Sequence, residues 1–381
     1  MDLDARSLER VPNSGSAEYA RPAAHKRSGK WIPKDPWAKA AVIWATVQLL
    51  IIVLLEAIVL KKHADNNDQL KLALGQDKNA IANASALTIY HALFMVAQVF
   101  QWVLAADAVH TYSMIEMVST TLFNCALFAY AGMQYKQAKD IADGISRSPN
   151  FEATTGLLNA HPASTMEIII VCAMGFFVVG WIVLSQRLYR VFGWSIFKEL
   201  GADISVRNRL KLYHIYLMLL KLDVFFFIGF DVQYLILVIL SGNSGGSPNE
   251  KWIHGFGAIP FTLVLLVIAY MAVRRESKIL MTATLLGLSG GIGYLISKLV
   301  DVLRKGDQPK YSGSKNSLTF FEAITLGMCV ATFIFALLTF RNFGKGLKEQ
   351  LSKSRRGDLE MDNMQRGRQG RQKDTPRYTL E

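Results

Sequence analysis

The sequence predicts an all-α, polytopic membrane helix bundle with about eight transmembrane helices and both termini in the cytosol. Of its 381 residues, 51% are hydrophobic and 19% are charged, whereas a soluble chain carries about 25% charged residues. The apolar residues are collected in runs long enough to cross a bilayer core of about 30 Å. Runs of this length are helices, because a helix satisfies its own backbone hydrogen bonds in lipid.

Three regions follow from the distribution of polar residues. Residues 1–36 are predicted to be a disordered cytosolic tail, 37–341 the transmembrane helix bundle, and 342–381 a disordered basic cytosolic tail. The formal net charge is +12. Because the Lys and Arg residues flank the spans and fill the tails, this charge favours anionic lipid headgroups at the cytosolic face, and not nucleic acid, as a partner.

The predicted spans are taken in chain order. They lie near Ala40–Leu60, Leu87–Ala106, Tyr112–Met133, Met166–Gln186, Tyr213–Leu240, Ile253–Val273, Ile279–Leu303 and Leu318–Phe340. Only Asp107 to Thr111 separate the second span from the third, so a tight helical hairpin is expected there. Pro260 in the sixth span predicts an ordinary helix kink.

The orientation follows from the positively charged loops. The segment 187–212 is rich in Arg and Lys, which indicates a cytosolic location. Its apolar residues recur at helical spacing, which indicates either an amphipathic helix in the membrane interface or a helix packed on the ends of the bundle. Asn83, in Asn-Ala-Ser, is the single glycosylation sequon, and it falls on the predicted lumenal side, directly before the second span.

The fifth span is the most unusual one because it carries Lys221, Asp223 and Asp231 within an apolar run. A charge near the bilayer centre costs at least about 2.5–3.5 kcal/mol, so these side chains must face protein, water or each other. Lys221 and Asp223 are two residues apart and point to roughly opposite sides of a helix. Each therefore needs a partner on another helix, and Glu116 of the third span matches the depth of Lys221.

The ionisable residues within the spans are the candidates for function. The candidate polar core consists of Lys221, Asp223, Asp231, Glu116 and His91. Such a core binds an ion or a small polar solute, or relays protons. The alternative is a set of buried ion pairs and hydrogen bonds that determine how the helices pack. No catalytic motif is present, so we expect no enzyme activity, no cofactor and no metal site.

Small residues in the seventh span predict close helix packing. Gly287 and Gly291 are four residues apart, and Gly293 follows Ser289 at the same spacing. Small residues at this spacing allow two membrane helices to approach each other closely. The alternative is a flexible or broken helix that lines a cavity. The run Phe225-Phe226-Phe227 predicts lipid contact and packing rather than a ligand cage.

The string LKLYHIYLMLLKLDVFFFIGFDVQYLILVI resembles the signature region of a fungal family of uncharacterised multi-pass Golgi apparatus membrane proteins. The first span, VQLLIIVLLEAIVL with Gln48 and Glu56, is similar too. The residues that match the pattern of the fifth span are Lys221, Asp223, Phe226, Gly229 and Gln233. The resemblance extends over about 37–341 and implies a multi-span fold in the Golgi membrane. The family has no established activity, so no mechanism is implied.

Three functions are compatible with these observations. The first is a transporter or permease that uses Lys221, Asp223 and Asp231. The second is a non-catalytic membrane scaffold or trafficking factor that acts through its cytosolic loop and tails. The third is a receptor-like sensor. A transporter loses activity when the core charges are removed, a scaffold when the tails are deleted, and a sensor has a ligand-dependent cytosolic partner.

Overall fold

The computed structural model describes residues 35–73, 78–146, 162–200, 204–240, 257–305 and 315–344. All the regular elements in these ranges are helical. The long helices are α1 (Pro36–Ala73), α2 (Lys78–His110), α3 (Met114–Ser146), α4 (Pro162–Leu200), α5 (Ile204–Leu240), α6 (Ile259–Arg275), α7 (Lys278–Lys305) and α8 (Lys315–Phe340). Most of each predicted tail lies outside the described residues.

The eight helices correspond in order to the eight predicted spans. Six of them are long and apolar enough to cross a membrane: Pro36–Asn66, Ser85–His110, Met114–Asp140, Thr165–Phe192, Lys278–Arg304 and Lys315–Phe340. The other two are α5, which carries three charges in its apolar run, and α6, which has 17 residues. At 1.5 Å per residue α6 is about 25 Å long, at the lower end of the range for a spanning helix. The chain is a polytopic helical membrane protein.

The helices form two four-helix halves. In the first half, α1 packs on α2, α2 on α3, α3 on α4, and α4 back on α1. The second half repeats this order of neighbours with α5, α6, α7 and α8. The halves meet where α2 packs against α5, and α3 packs against α5 and α8. We call this contact the seam.

Aromatic side chains fill the seam. The ring of Phe100 stacks on that of Phe225, with their centroids 5.1 Å apart, and Phe123 meets Phe225 edge to face at 5.1 Å. Phe226 and Phe321 lie against the same group, with centroids 6.0 Å apart. Aromatic pairs in these arrangements add about 0.5–1.5 kcal/mol beyond the area that they bury. Phe225 and Phe226 are 7% and 6% exposed, so the expected lipid contact is wrong for both, and packing is their role.

The outer surface of the bundle is apolar. Large aliphatic and aromatic side chains stand exposed on it, among them Ile279 at 83%, Leu50 at 65% and Phe176 at 64%. Soluble proteins do not expose so much apolar surface, because it is unfavourable in water. This surface contacts the lipid bilayer.

Two short connections are well defined. Helix α2 ends at His110 and α3 begins at Met114, with Tyr112 between them in a left-handed conformation (φ 51°), so the expected tight hairpin is confirmed. Glu276 closes α6 in the same conformation (φ 48°), and its N–H donates to the carbonyl groups of the last turn.

Pro260 lies in the first turn of α6, where its missing N–H costs nothing. The residues one turn before Pro260 lie outside the described ones, so the expected kink stays a prediction.

Helix α4 continues far beyond the predicted end of the fourth span. It runs without a break to Leu200, and Leu188 and Phe192 on the extension are fully buried. The ring of Phe192 contacts Tyr112 in the α2–α3 turn, with centroids 5.4 Å apart. The described part of this segment is therefore packed on the end of the bundle and continues the span.

Asn83 falls in the first turns of α2. Its side chain is outside the described residues, so glycosylation stays a prediction.

Glycines allow close helix contacts at a few positions. A Cβ atom at Gly229 of α5 would lie 2.5 Å from Cε1 of Phe321 in α8, and one at Gly287 of α7 would overlap Leu265 of α6. At Gly291 the nearest atom is the Cys329 sulfur, 4.0 Å away. Gly293 has nothing within 4 Å, so the packing expected there is absent among the described residues: this position turns away from both neighbouring helices.

We expect Gly229→Ala to lower the free energy of unfolding in detergent by about 1–3 kcal/mol. The added methyl group would force the Phe321 ring out of its place in the seam, and overpacking of this kind typically costs that much. The matched control is Gly293→Ala, which adds the same group in open space and should be neutral or stabilising by up to about 1 kcal/mol. Equal effects at the two positions would contradict the close contact.

Candidate functional site

Lys221 lies beside the α2–α3 turn. Its Nζ donates to Asp107 Oδ2 and to Glu116 Oε1, both at 2.5 Å. Thr111 supports the group by donating its hydroxyl to Glu116 Oε2 at 2.7 Å. The side chains of Lys221 and Asp107 are 39% and 40% exposed, so this ion-pair group lies at the edge of the bundle.

Asp223 lies two residues further along α5 and faces a different helix. It is fully buried, and its Oδ2 accepts a hydrogen bond from the hydroxyl of Thr332 in α8 at 2.5 Å. Its Oδ1 has no hydrogen-bond partner among the described residues. Lys221 is bound to Asp107 and Glu116. The charge on Asp223 thus has no basic counterion in the part of the chain that the structure describes.

A second acidic group lies at the other end of the α5–α8 half. Asp231 is 5% exposed and Glu322 is fully buried, and both act electrostatically on Tyr294. Lys298 donates to the Tyr234 hydroxyl at 2.9 Å and lies 4.7 Å from the centre of that ring. Lys298 also acts on Glu322 through its charge. This group combines a cation, two aromatic rings and buried carboxylates.

The interior of the α1–α4 half contains a network of amides. Gln48 of α1 donates to Gln98 Oε1 at 3.0 Å and to Asn124 Oδ1 at 2.7 Å. It also accepts a hydrogen bond from the indole of Trp181 at 2.7 Å. All four side chains are buried, and each comes from a different helix. Gln48 therefore connects the four helices of this half at one depth.

Histidines and glutamates form a third polar group, the His–Glu cluster: His63 and Glu56 of α1, His91 of α2 and Glu167 of α4. His91 Nδ1 lies 2.7 Å from Glu56 Oε2, and His63 Nε2 lies 2.9 Å from Glu167 Oε1. The two imidazole rings stack with their centroids 5.1 Å apart. Ligand atoms of His63, His91 and Glu167 all lie within 4.8 Å of one another, which is a spacing compatible with a metal ion.

The five residues of the candidate polar core therefore do not form one core. The structure pairs Lys221 with Glu116, as their depth predicts, but places Asp223, Asp231 and His91 in separate groups. The physical reason is the rise of a helix. Asp231 lies ten residues beyond Lys221 on α5, which is about 15 Å along the axis.

Sequence reasoning missed several residues of these groups. The sequence predicts a loop at Asp107, whereas α2 continues to His110 and carries Asp107 towards Lys221. His63 and Glu167 lie at or beyond the edges of predicted spans, so their depth did not mark them as interior residues. The shared depth of Glu56 and His91 near one end of the bundle was the available signal for their pair.

Over 284 residues, the chain is 25% identical to a UPF0658 Golgi apparatus membrane protein of Schizosaccharomyces pombe, and the match covers 69% of this chain and 78% of the relative. This chain is similar to a Golgi membrane protein. The resemblance inferred from the fifth span is thereby confirmed. No family model matches the chain, and no solved structure does.

We expect Lys221→Met to destabilise the protein by about 1 kcal/mol, because Asp107 and Glu116 would then repel each other without a cation between them. The partial exposure of Lys221 keeps the effect small, since solvent screens such pairs. Lys211→Met, which removes an exposed lysine from the same helix, is the control and should be neutral.

Adding Asp107→Asn to Lys221→Met should restore part of the loss, because only one carboxylate then remains. Chemical unfolding in detergent measures all three variants. A double variant that is less stable than Lys221→Met alone would contradict this explanation of the ion-pair group.

Proposed function

We propose that this chain is a non-enzymatic, multi-pass Golgi membrane protein that binds and moves a small cation, the proton included, through the interior next to α5. The membrane location rests on the apolar helices and on the similarity to a Golgi membrane protein. The observation that supports the cation is Asp223, a fully buried carboxylate that is hydrogen-bonded through one oxygen to Thr332.

A buried carboxylate in a membrane protein has to be compensated. Burying an unpaired charge is expensive, and ionisable residues inside spans typically mark ion or proton pathways. Lys221 does not neutralise the charge of Asp223, because the ammonium group of Lys221 contacts two other carboxylates. A bound cation or a proton on Asp223 satisfies the remaining oxygen.

Further acidic residues lie in the same half of the bundle, at other depths than Asp223. Asp231 follows Asp223 by eight residues on α5, about 12 Å along the axis, and Glu322 of α8 is fully buried. In the predicted orientation, these groups lead from the cytosolic half of the membrane to its lumenal half. This half therefore presents negatively charged or proton-accepting groups at successive depths, which supports a cationic substrate over an anionic one.

Anionic lipid headgroups are the partner that we propose for the predicted cytosolic end of the bundle. Arg187 lies over the ring of Trp37, 5.5 Å from its centre, and Arg274 contacts Tyr270 in the same way. Arg and aromatic residues at the membrane–water boundary are usual interfacial anchors. This contact orients the protein and is separate from the cation path.

The test is a flux assay with the full chain in liposomes that contain a pH-sensitive dye or a dye for alkali cations. The native protein should carry protons or a small cation down an imposed gradient. Asp223→Asn should abolish this flux, because the amide keeps the shape and the hydrogen bond to Thr332 but has no negative charge. The control is Asp140→Asn, the same substitution at an exposed carboxylate near the end of α3, which should leave the flux unchanged.

Two results would contradict the proposal. One is native protein that carries no tested ion faster than empty liposomes. The other is Asp223→Asn with native flux. Either result would favour the alternative in which the α5 charges are packing elements and the protein is a scaffold or trafficking factor. Size-exclusion profiles of the variants show whether each remains folded.

A further inference from the structure

The His–Glu cluster lies in the other half of the molecule and is independent of the cation path along α5. His63 and Glu56 are on α1, His91 is on α2, and Glu167 is on α4. His91, Glu56 and Glu167 are at most 3% exposed, and His63 is 14% exposed. Three separate helices thus bring two imidazoles and two carboxylates into one buried space at one end of the bundle.

Both imidazoles approach the same oxygen. Glu167 Oε1 lies 2.9 Å from His63 Nε2 and 3.8 Å from His91 Nε2. Around a tetrahedral zinc ion with bonds of 2.0–2.1 Å, neighbouring ligand atoms are roughly 3.3–3.4 Å apart. The two observed distances lie on either side of that value, so small side-chain movements would accommodate an ion.

Glu56 determines which nitrogen of His91 faces this space. Its Oε2 lies 2.7 Å from His91 Nδ1. An ionised carboxylate can only accept here, so Nδ1 carries the proton and the lone pair of Nε2 is directed towards Glu167. Metal-binding histidines almost always donate their second ring N–H to a carboxylate or a carbonyl group in this way. The pair of Glu56 and His91 thus has the arrangement of an outer carboxylate and an inner metal ligand.

Two buried atoms of the cluster lack hydrogen-bond partners among the described residues. They are Nε2 of His91 and Oε2 of Glu167. Buried polar atoms are nearly always hydrogen-bonded, and each exception needs an explanation. Both exceptions belong to residues whose ligand atoms are within 4.8 Å of one another. A metal ion bound there would satisfy Nε2 of His91, and a Glu167 carboxylate that binds the ion through both oxygens would satisfy its Oε2 as well.

We propose that His63, His91 and Glu167 bind a divalent transition-metal ion of the zinc class, with Glu56 orienting His91. Imidazole and carboxylate are ligands that zinc accepts, and two histidines with one glutamate form a three-ligand set that leaves a further coordination position open. His63 lies beyond the predicted end of the first span and is the most exposed member. In the predicted orientation, the ion enters from the lumenal side.

The test uses the full chain, purified in detergent without any histidine tag, and Zn²⁺ as the probe. Titration against a fluorescent zinc chelator measures stoichiometry and affinity, and Co²⁺ absorption measures coordination. The native chain should bind one Zn²⁺ with high affinity and show the visible absorption of a four- or five-coordinate cobalt site. His63→Gln, His91→Gln and Glu167→Gln should each abolish this binding.

Two further variants separate a metal site from general effects on folding. Glu56→Gln should bind zinc about 10–100-fold more weakly without losing it, because an outer-shell partner contributes that much. His110→Gln removes an exposed histidine from the end of α2 and should leave zinc binding unchanged. If a variant of a metal ligand fails to fold, two measurements on the native chain still show whether it binds a metal ion. They are the cobalt spectrum and the rise in Tm on addition of zinc.

Three results would overturn the proposal. They are native protein without a stoichiometric zinc site, ligand variants with native affinity, and a cobalt spectrum of six-coordinate, water-like ions. The cluster would then be a set of structural histidine–glutamate pairs. Asp223→Asn should keep the zinc site, so failure of the cation path along α5 and failure of the metal site are distinguishable.

Discussion

The structure depends on the requirement that polar side chains inside a membrane bundle find their partners on other helices. Lipid offers no hydrogen bonds, so a buried amide or charge restricts the position of every helix that it contacts. Gln48 shows this most clearly, because it contacts Gln98, Asn124 and Trp181 on three different helices. A shift of any of these helices by one turn would break the network.

The two halves use this constraint differently. The α1–α4 half contains complementary groups, with amides bonded to amides and Glu56 bonded to His91. The α5–α8 half contains buried carboxylates in excess, including Asp223 with Thr332 as its hydrogen-bond donor. The aromatic seam lies between them, and Lys221 crosses it to contact Asp107 and Glu116. The proposed metal site therefore lies in the first half and the proposed cation path in the second.

Much of the fold could be predicted from the sequence, and the reason is physical. Bilayer thickness sets the length of an apolar run, so the eight helices and the hairpin at Tyr112 follow from hydropathy and spacing. The depth of a residue in the membrane also follows from the sequence, because its position in a span gives its height along the helix. Matching depths predicted the pair of Lys221 and Glu116. The position of a residue in a span does not show which neighbouring helix its side chain faces. For that reason the sequence does not show that His63 and Glu167 contact each other. It also does not show that Gly293 lacks the helix contact that its spacing suggests.

The central claim is that α5 lies against α2 and α3, with Asp223 and Asp231 inside the protein. Cross-linking tests it directly, in membranes, on a chain from which Cys125, Cys172 and Cys329 have been removed. Cysteines at Phe100 and Phe225, whose rings are 5.1 Å apart, should be joined by a short thiol-specific reagent. Cysteines at Phe128, which is 38% exposed on α3, and at Phe225 should not be joined. Absence of the first cross-link, together with reaction of the cysteine at position 225 with a lipid-soluble maleimide, would show that α5 faces lipid and would contradict this account.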